Sequence, residues 1–317
     1  MFSTQTNQHL IRSNLWSSQL KEVLLEELMG MKYVDWITDF PDGETINIPS
    51  IGQAESLDYV ENAPIQYTAM DTGNFTFTVD QYKSSATYIT NKMKQDSFYT
   101  ARLVSSFVPK QARALAKAME VKILDVGPSA QTGTSSNSIN GAAHRWIAQG
   151  TNESMVPADF AKANYALDMA NVPMQGRVAI VHPSVGYNLS TMANITNVIN
   201  NPRWEGIIRD GGLTGTKFLM NIYGFDVYTS QNLKVNSGTQ QIDSAGPTAP
   251  AGSYNNLFFS AASDVLPFVG LIRQSPKVDS EYNKDFQREE FVTTCRYGFK
   301  LFRPENLVVV VSANDTV

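Results

Sequence analysis

The sequence predicts an α+β fold, and three observations carry that reading. One long run of apolar positions at helical spacing lies within residues 92–126. Period-two alternation clusters in 44–90 and again in 257–311, away from that helix. Between them, residues 172–233 read as a compact unit of strand, short helix, long loop and returning strand. At 317 residues the chain is long enough for roughly two domains and a sizeable core.

Composition excludes several classes of function. A net charge of -5 argues against a chain whose main work is gripping nucleic acid, which needs an excess of Lys and Arg on one face. A mildly acidic chain can still carry a local basic stripe. The single cysteine, Cys295, rules out an intrachain disulfide and a thiol-based metal cluster, and its strand neighbours predict a core position. No stretch reaches the ~18 apolar residues of a membrane span, and the start has no basic region followed by an apolar run. Folding in cytoplasm is therefore expected, and the Asn-x-Ser/Thr triplets at Asn74, Asn152, Asn188 and Asn194 carry no message.

In chain order, residues 1–14 are polar and uncapped, an expected arm. Asn14 can cap a helix over 15–29, where Leu20, Val23, Leu24 and Leu28 share a face and Gly30 ends the run. In 44–90, Ile46 and Ile48 alternate with polar residues, as do Phe75, Phe77 and Val79, which predicts two half-buried strands. The irregular 56–72 connection, with Pro64 and a turn at Asp71 to Asn74, makes them an extended ribbon that needs outside support. In 92–126, Val104, Val108, Ala112, Leu115, Met119, Ile123 and Val126 form one stripe. Lys110, Arg113 and Lys117, with Lys122 further on, belong to the other side, and Pro109 predicts a kink or break with a fresh segment from Lys110 onward.

Residues 127–152 are mostly small and polar, so a long loop is expected, with an apolar island at Trp146 and Ile147. Pro157 opens a helix at its first position; Phe160, Ala163, Leu167 and Ala170 repeat before Pro173 stops it. In the unit that follows, 177–182 is a buried strand, Ser184 is placed to cap the next helix, and 223–230 is the returning strand. Residues 200–216 and 234–256 are Gly-, Ser- and Pro-rich, a loop and a surface insertion. Strands are expected at 257–260, 266–273 and 289–300, and the valines of 307–311 predict a strand buried on both faces.

The search for chemistry returns no catalytic set, no cofactor site and no metal site. GGLTGTK at 211–217 departs from a phosphate loop, since Thr216 separates the last glycine from Lys217 and Phe218 follows. His182 and Ser184 flank Pro183, but no Gly-x-Ser-x-Gly elbow surrounds any serine, and a helix cap explains Ser184 better. The remaining histidines, His9 and His144, are scattered and make no ligand pair. Glu289 and Glu290 are adjacent on a strand and point to opposite faces, so they cannot act as an acid/base pair.

The segments GRVAIVHPSVGYNL, GLTGTKFLMNIYGFDVYTSQNL and REEFVTTCRYGFKLFRPENLVVVV occur in an order that resembles the major capsid proteins of tailed double-stranded-DNA bacteriophages, with the Hong Kong 97-type fold, and look closest to shells of short-tailed phages. The resemblance implies a structural protein rather than an enzyme: a shell subunit with an N-terminal arm (1–40), an extended β-ribbon loop (41–90), a peripheral domain with a long spine helix (91–152 and 286–317) and an axial domain (153–285). It implies as partners copies of itself in pentamers and hexamers, a separate scaffolding protein, a portal, and packaged double-stranded DNA bound without sequence specificity, with no membrane. The location implied is the virion, assembled in host cytoplasm. It also places the Lys110, Arg113 and Lys117 stripe toward the shell interior, where DNA phosphates or an acidic scaffold would meet it; a merely solvated face is the plainer reading. A nanocompartment shell protein of the same fold and a cytoplasmic α/β enzyme remain the alternatives. A fused N-terminal scaffolding segment is not expected.

Overall fold

The computed structural model describes residues 28–38, 45–51, 72–96, 100–131, 137–191, 218–243 and 246–313, with the single positions 58, 61 and 64. The expected arm, its helix up to residue 27, the 200–216 loop and nearly all of the ribbon's distal connection lie outside these residues. Strands β1 (Val34–Trp36), β2 (Thr45–Ile51), β3 (Thr72–Thr78) and β4 (Gln81–Thr90) lead into helices α1 (Asn91–Asp96) and α2 (Thr100–Gln131). Short strands β5 (Ser138–Ile139), β6 (Ala142–Ala143) and β7 (Arg145–Ile147) precede helix α3 (Pro157–Met169), strand β8 (Arg177–Val181) and helix α4 (Pro183–Thr191). Then come β9 (Phe218–Ile222), β10 (Phe225–Thr229), β11 (Tyr254–Ser260), β12 (Phe268–Asn283), β13 (Arg288–Leu301) and β14 (Val308–Ser312).

Two sheets carry the architecture. A six-stranded sheet runs β7-β14-β11-β8-β10-β9, and a four-stranded sheet runs β1-β12-β13-β4. Strands β8 and β14 are buried at every position, as their Val- and Ile-rich sequences suggest for strands covered on both faces. Ala179, Val181, Phe258, Val308 and Val310 face one core, shared with Phe160, Ala163 and Leu167 of α3. Val178, Ile180, Leu257, Phe259 and Val309 face a second core, completed by Leu115, Met119 and Ile123 of α2 and by Cys295, Tyr297 and Phe299 of β13. Because a buried Val, Ile or Phe side chain contributes about 1.5–3 kcal/mol, that second core welds the long helix and both sheets into one body.

Local chemistry sets the helix ends. Pro157 stands at the start of α3, and buried Asp159 takes the Val156 N–H at 3.1 Å and the Trp146 indole N–H at 3.1 Å. After α3, Asn171 adopts a left-handed φ of 57°, a common way to leave a helix. The buried Arg177 guanidinium then collects the helix end, donating to the Val172 carbonyl at 2.9 Å, to Asp168 at 2.5 Å and to the Asn164 side chain. Positive φ at Tyr223 (47°) and Gly224 (84°) closes the β9–β10 hairpin, the backbone that a two-residue turn demands.

Several expectations need correction. Helix α2 continues through Pro109 without a break and runs on through Pro128. A proline removes one hydrogen bond from the ladder, and two residues later Gln111 locks the helix to β13. Its amide donates to the Phe291 carbonyl at 3.2 Å and its carbonyl accepts the Thr293 hydroxyl at 2.7 Å. Residues 127–152 are therefore not one long loop: the helix claims the first five, and Arg145–Ile147 pairs in parallel with β14. Ser184 is not the cap of α4. The helix starts at Pro183, whose fixed φ and missing N–H suit a first position, so His182 takes the cap place and its Nδ1 lies 2.8 Å from the Ser184 hydroxyl. The 234–256 segment is not simply a surface insertion either, since Ile242 and Ala249 bury against Val311. Strand β12 extends ten residues beyond the expected 266–273, through a polar run held by pairing with β13.

Candidate assembly surfaces

The first surface begins where the chain enters the described body. Glu120, fully buried in α2, accepts the backbone N–H groups of Met29 at 2.9 Å and Gly30 at 2.7 Å, one on each carboxylate oxygen. A Cβ on Gly30 would stand 2.8 Å from that carboxylate, so a larger residue there would have to displace it. The turn Gly30–Tyr33 then delivers β1 in parallel to β12. Tyr33 packs edge-on against Phe259 at 5.1 Å, and burial, reinforced by nearby acidic groups, pushes its hydroxyl up to about 12.

The second surface is the ribbon of β2 and β3, antiparallel from Thr45 opposite Thr78 to Ile51 opposite Thr72. Its base is anchored: Phe77 is fully buried, Phe75 packs edge-on against Phe302 at 4.9 Å, and Lys300 donates to the Thr76 carbonyl at 2.6 Å. A Cβ on Gly298 would lie 2.9 Å from the Thr78 carbonyl oxygen, so this crossing also depends on a glycine. Gly73 and Asn74, further out, are exposed.

The third surface is the four-stranded sheet. One face, with Phe291, Cys295, Tyr297 and Phe299, is buried, and Cys295, Tyr297 and Phe299 share their core with α2. Burial raises the Cys295 thiol pKa, which suits a core thiol and not a nucleophile. On the other face, Tyr82, Ser84 and Ala86 of β4 are exposed. Beyond residue 272 the β12–β13 hairpin projects and is largely solvent-facing along β12. The predicted basic residues lie on the outside of α2: Lys110 and Lys117 are exposed and Arg113 is half-buried. Lys122, further along the helix, forms an ion pair with Asp80 at 3.7 Å.

Nothing among the described residues assembles into a catalytic centre. His182 and Ser184 touch, but the imidazole is stacked on Tyr254 with centroids 3.6 Å apart, and burial lowers its pKa. That contact closes the first turn of a helix, and among the described residues no carboxylate is bonded to the ring. Glu289 pairs with Lys94 and Glu290 with Arg288, on opposite faces as their adjacency requires. Among the described residues no group of three His, Cys, Asp or Glu side chains is placed to hold a metal. No helix among them is long and apolar enough to cross a membrane. The GGLTGTK stretch and His9 fall outside the described residues.

The comparison with known families decides among these readings. A family model described as phage capsid protein matches residues 74–310, about three quarters of the chain. The chain belongs to the phage capsid protein family. It is a major capsid subunit with an α+β fold, a structural protein and not an enzyme. Its fold is similar to a solved chain from Mycobacterium phage Che8, with a TM-score of 0.68, 18% identity, and coverage of 95% of this chain and 97% of that one. It is likewise similar to the capsid of cyanophage P-SCSP1u (TM-score 0.70, 15% identity, 98% and 94% covered) and to that of Ralstonia phage GP4 (0.69, 11%, 97% and 97%). No curated protein sequence matches.

For this capsid subunit the working groups are contact surfaces, and sequence reading found them unevenly. The two ribbon strands were legible, and so was the outward position of Lys110 and Lys117. The Glu120 clamp and the projecting end of the β12–β13 hairpin were not. The available signals were a lone acid flanked by Met119 and Ile123, and a Phe and a Tyr isolated in the polar run EYNKDFQREE.

Proposed function

We propose that this capsid subunit builds a closed icosahedral shell around double-stranded DNA, in pentamers and hexamers, with a separate scaffolding protein and a portal as partners and assembly in the host cytoplasm. The observation that carries this reading is membership of the phage capsid family, joined to a body with an anchored ribbon and an open sheet face. Heterologous contacts that use different patches on each neighbour close into rings, and rings into a shell. The division proposed is an arm (1–40), a ribbon loop (41–90), a peripheral domain (91–152 and 286–317) and an axial domain (153–285). Strand pairing favours lending β12 to the peripheral sheet and β7 and β14 to the axial one.

Lys110, Arg113 and Lys117 are proposed to face the shell interior. Three partly exposed cations give weak, salt-screened attraction in one subunit, yet their effect accumulates over a repeating wall. Replacing all three with Gln removes charge while keeping helix propensity. The expected outcome is shells of normal yield with less packaged DNA, measured separately by particle counting and DNA quantification. Loss of shells instead would assign the stripe to the scaffold. No change in either quantity would leave it a solvated face.

A further inference from the structure

The four-stranded sheet has two edges, and they are built differently. Strand β1 closes one with three residues, while β4 runs along the other for ten, Gln81–Thr90. On its inner side β4 pairs with β13 without a bulge, from Gln81 opposite Tyr297 to Thr90 opposite Arg288. On its outer side it has no main-chain partner among the described residues. An unpaired row of N–H and C=O groups is a template for a further strand, so natural proteins blunt long edges with charges, prolines or bulges. The sequence of β4, QYKSSATYIT, has no proline, no glycine and no acid, and Lys83 is its one charge.

This edge also matches its own reverse. Counted outward from Ser85, Ser84 mirrors Ala86, Lys83 mirrors Thr87 and Tyr82 mirrors Tyr88. In an antiparallel pair of two such strands centred on Ser85, Tyr82 stands opposite the partner's Tyr88 and Tyr88 opposite the partner's Tyr82. Aromatic pairs of this kind stabilise neighbouring strands. Small residues fill the centre, and Lys83 meets a threonine rather than its own copy. Tyr82 and Tyr88 are 63% and 58% exposed, so each has apolar area left to bury. They share the sheet face with exposed Ser84 and Ala86, opposite the face that packs on α2.

We propose that β4 of one capsid subunit pairs antiparallel with β4 of a second copy across a two-fold axis at Ser85, joining two four-stranded sheets into one of eight strands. A two-fold contact uses the same patch on both subunits, and a strand that matches its own reverse supplies such a patch. Heterologous contacts close a ring, but joining one ring to the next takes another kind of contact, and this one serves. The inference rests on the capsid reading and names one of its contacts.

The test places Ser85→Cys in a Cys295→Ala background, so that the chain carries one thiol, and oxidises the assembled particles. Directly opposed residues of an antiparallel pair have Cα atoms about 4.5–5.5 Å apart, within disulfide reach. A covalent dimer linked from 85 to 85 is therefore expected on a non-reducing gel and by mass spectrometry. Thr87→Cys in the same background is the control: its two copies stand four residues apart along the pair, roughly 13 Å, and no dimer is expected. Charge variants in the wild-type background test the same register independently. Ser84→Lys with Ala86→Lys sets like charges opposite each other and is expected to lower particle yield at least tenfold with circular dichroism unchanged. Ser84→Glu with Ala86→Lys sets opposite charges there and is expected to restore the yield. No link at 85, a link at 87 as ready as that at 85, or equal yield from the two charge pairs would overturn the strand pairing and leave the capsid reading intact. A wild-type chain that forms no particles would overturn both.

Discussion

Glu120 holds two backbone N–H groups on one buried carboxylate, and the cost of losing it follows from what is stranded. Each unsatisfied buried donor costs about 1–3 kcal/mol, so Glu120→Ala is expected to lower the urea midpoint of the subunit clearly. Glu120→Gln keeps one acceptor oxygen and is expected to lose less. An unchanged midpoint in both would mean that the Met29–Gly30 segment is held by other contacts. The residue was not legible in sequence, because an acid on a helix that also carries Lys110, Arg113 and Lys117 reads as part of a solvated face. The Met29 and Gly30 N–H groups reach it only through tertiary approach, from a segment ninety residues away in sequence. Gly30 was expected to end a helix that lies outside the described residues; the structure gives it a different reason, the close approach of the Glu120 carboxylate.

Among elements, those whose pattern reflects their own burial were legible, and those held by pairing or by a distant contact were not. Strands β8 and β14 announced themselves because every position faces a core. The polar half of β12 did not, because its strand state depends on β13. Helix α2 was legible as a helix, but Pro109 obscured its continuity, since a single-chain pattern cannot register the Gln111 and Thr293 bonds that follow. The ribbon belongs to the same class: its base is fixed by Phe75, Phe77 and Lys300, and two strands alone are marginally stable. If residues 50–72 lie across a neighbour in the shell, a protease is expected to cut there readily in free subunits and poorly in assembled particles. Equal cleavage in both, followed by mass spectrometry, would place the ribbon's support within its own subunit.

At the scale of the molecule, two sheets and one long helix share a single core, while the ribbon and the far end of the β12–β13 hairpin extend from it. A body that buries its middle so fully and leaves ordered aromatic and ribbon elements outside is suited to many modest interfaces rather than to one site. The order of elements carried the family likeness in the sequence, and residues 74–310 carry it in the family match. The contacts between subunits stayed hidden because they depend on surfaces brought together only between copies. Electron microscopy of the purified, assembled protein tests the central claim most directly. Closed particles of icosahedral symmetry, with this fold in pentamers and hexamers, are the predicted result; a dispersed monomer, or open filaments under every assembly condition, would contradict it.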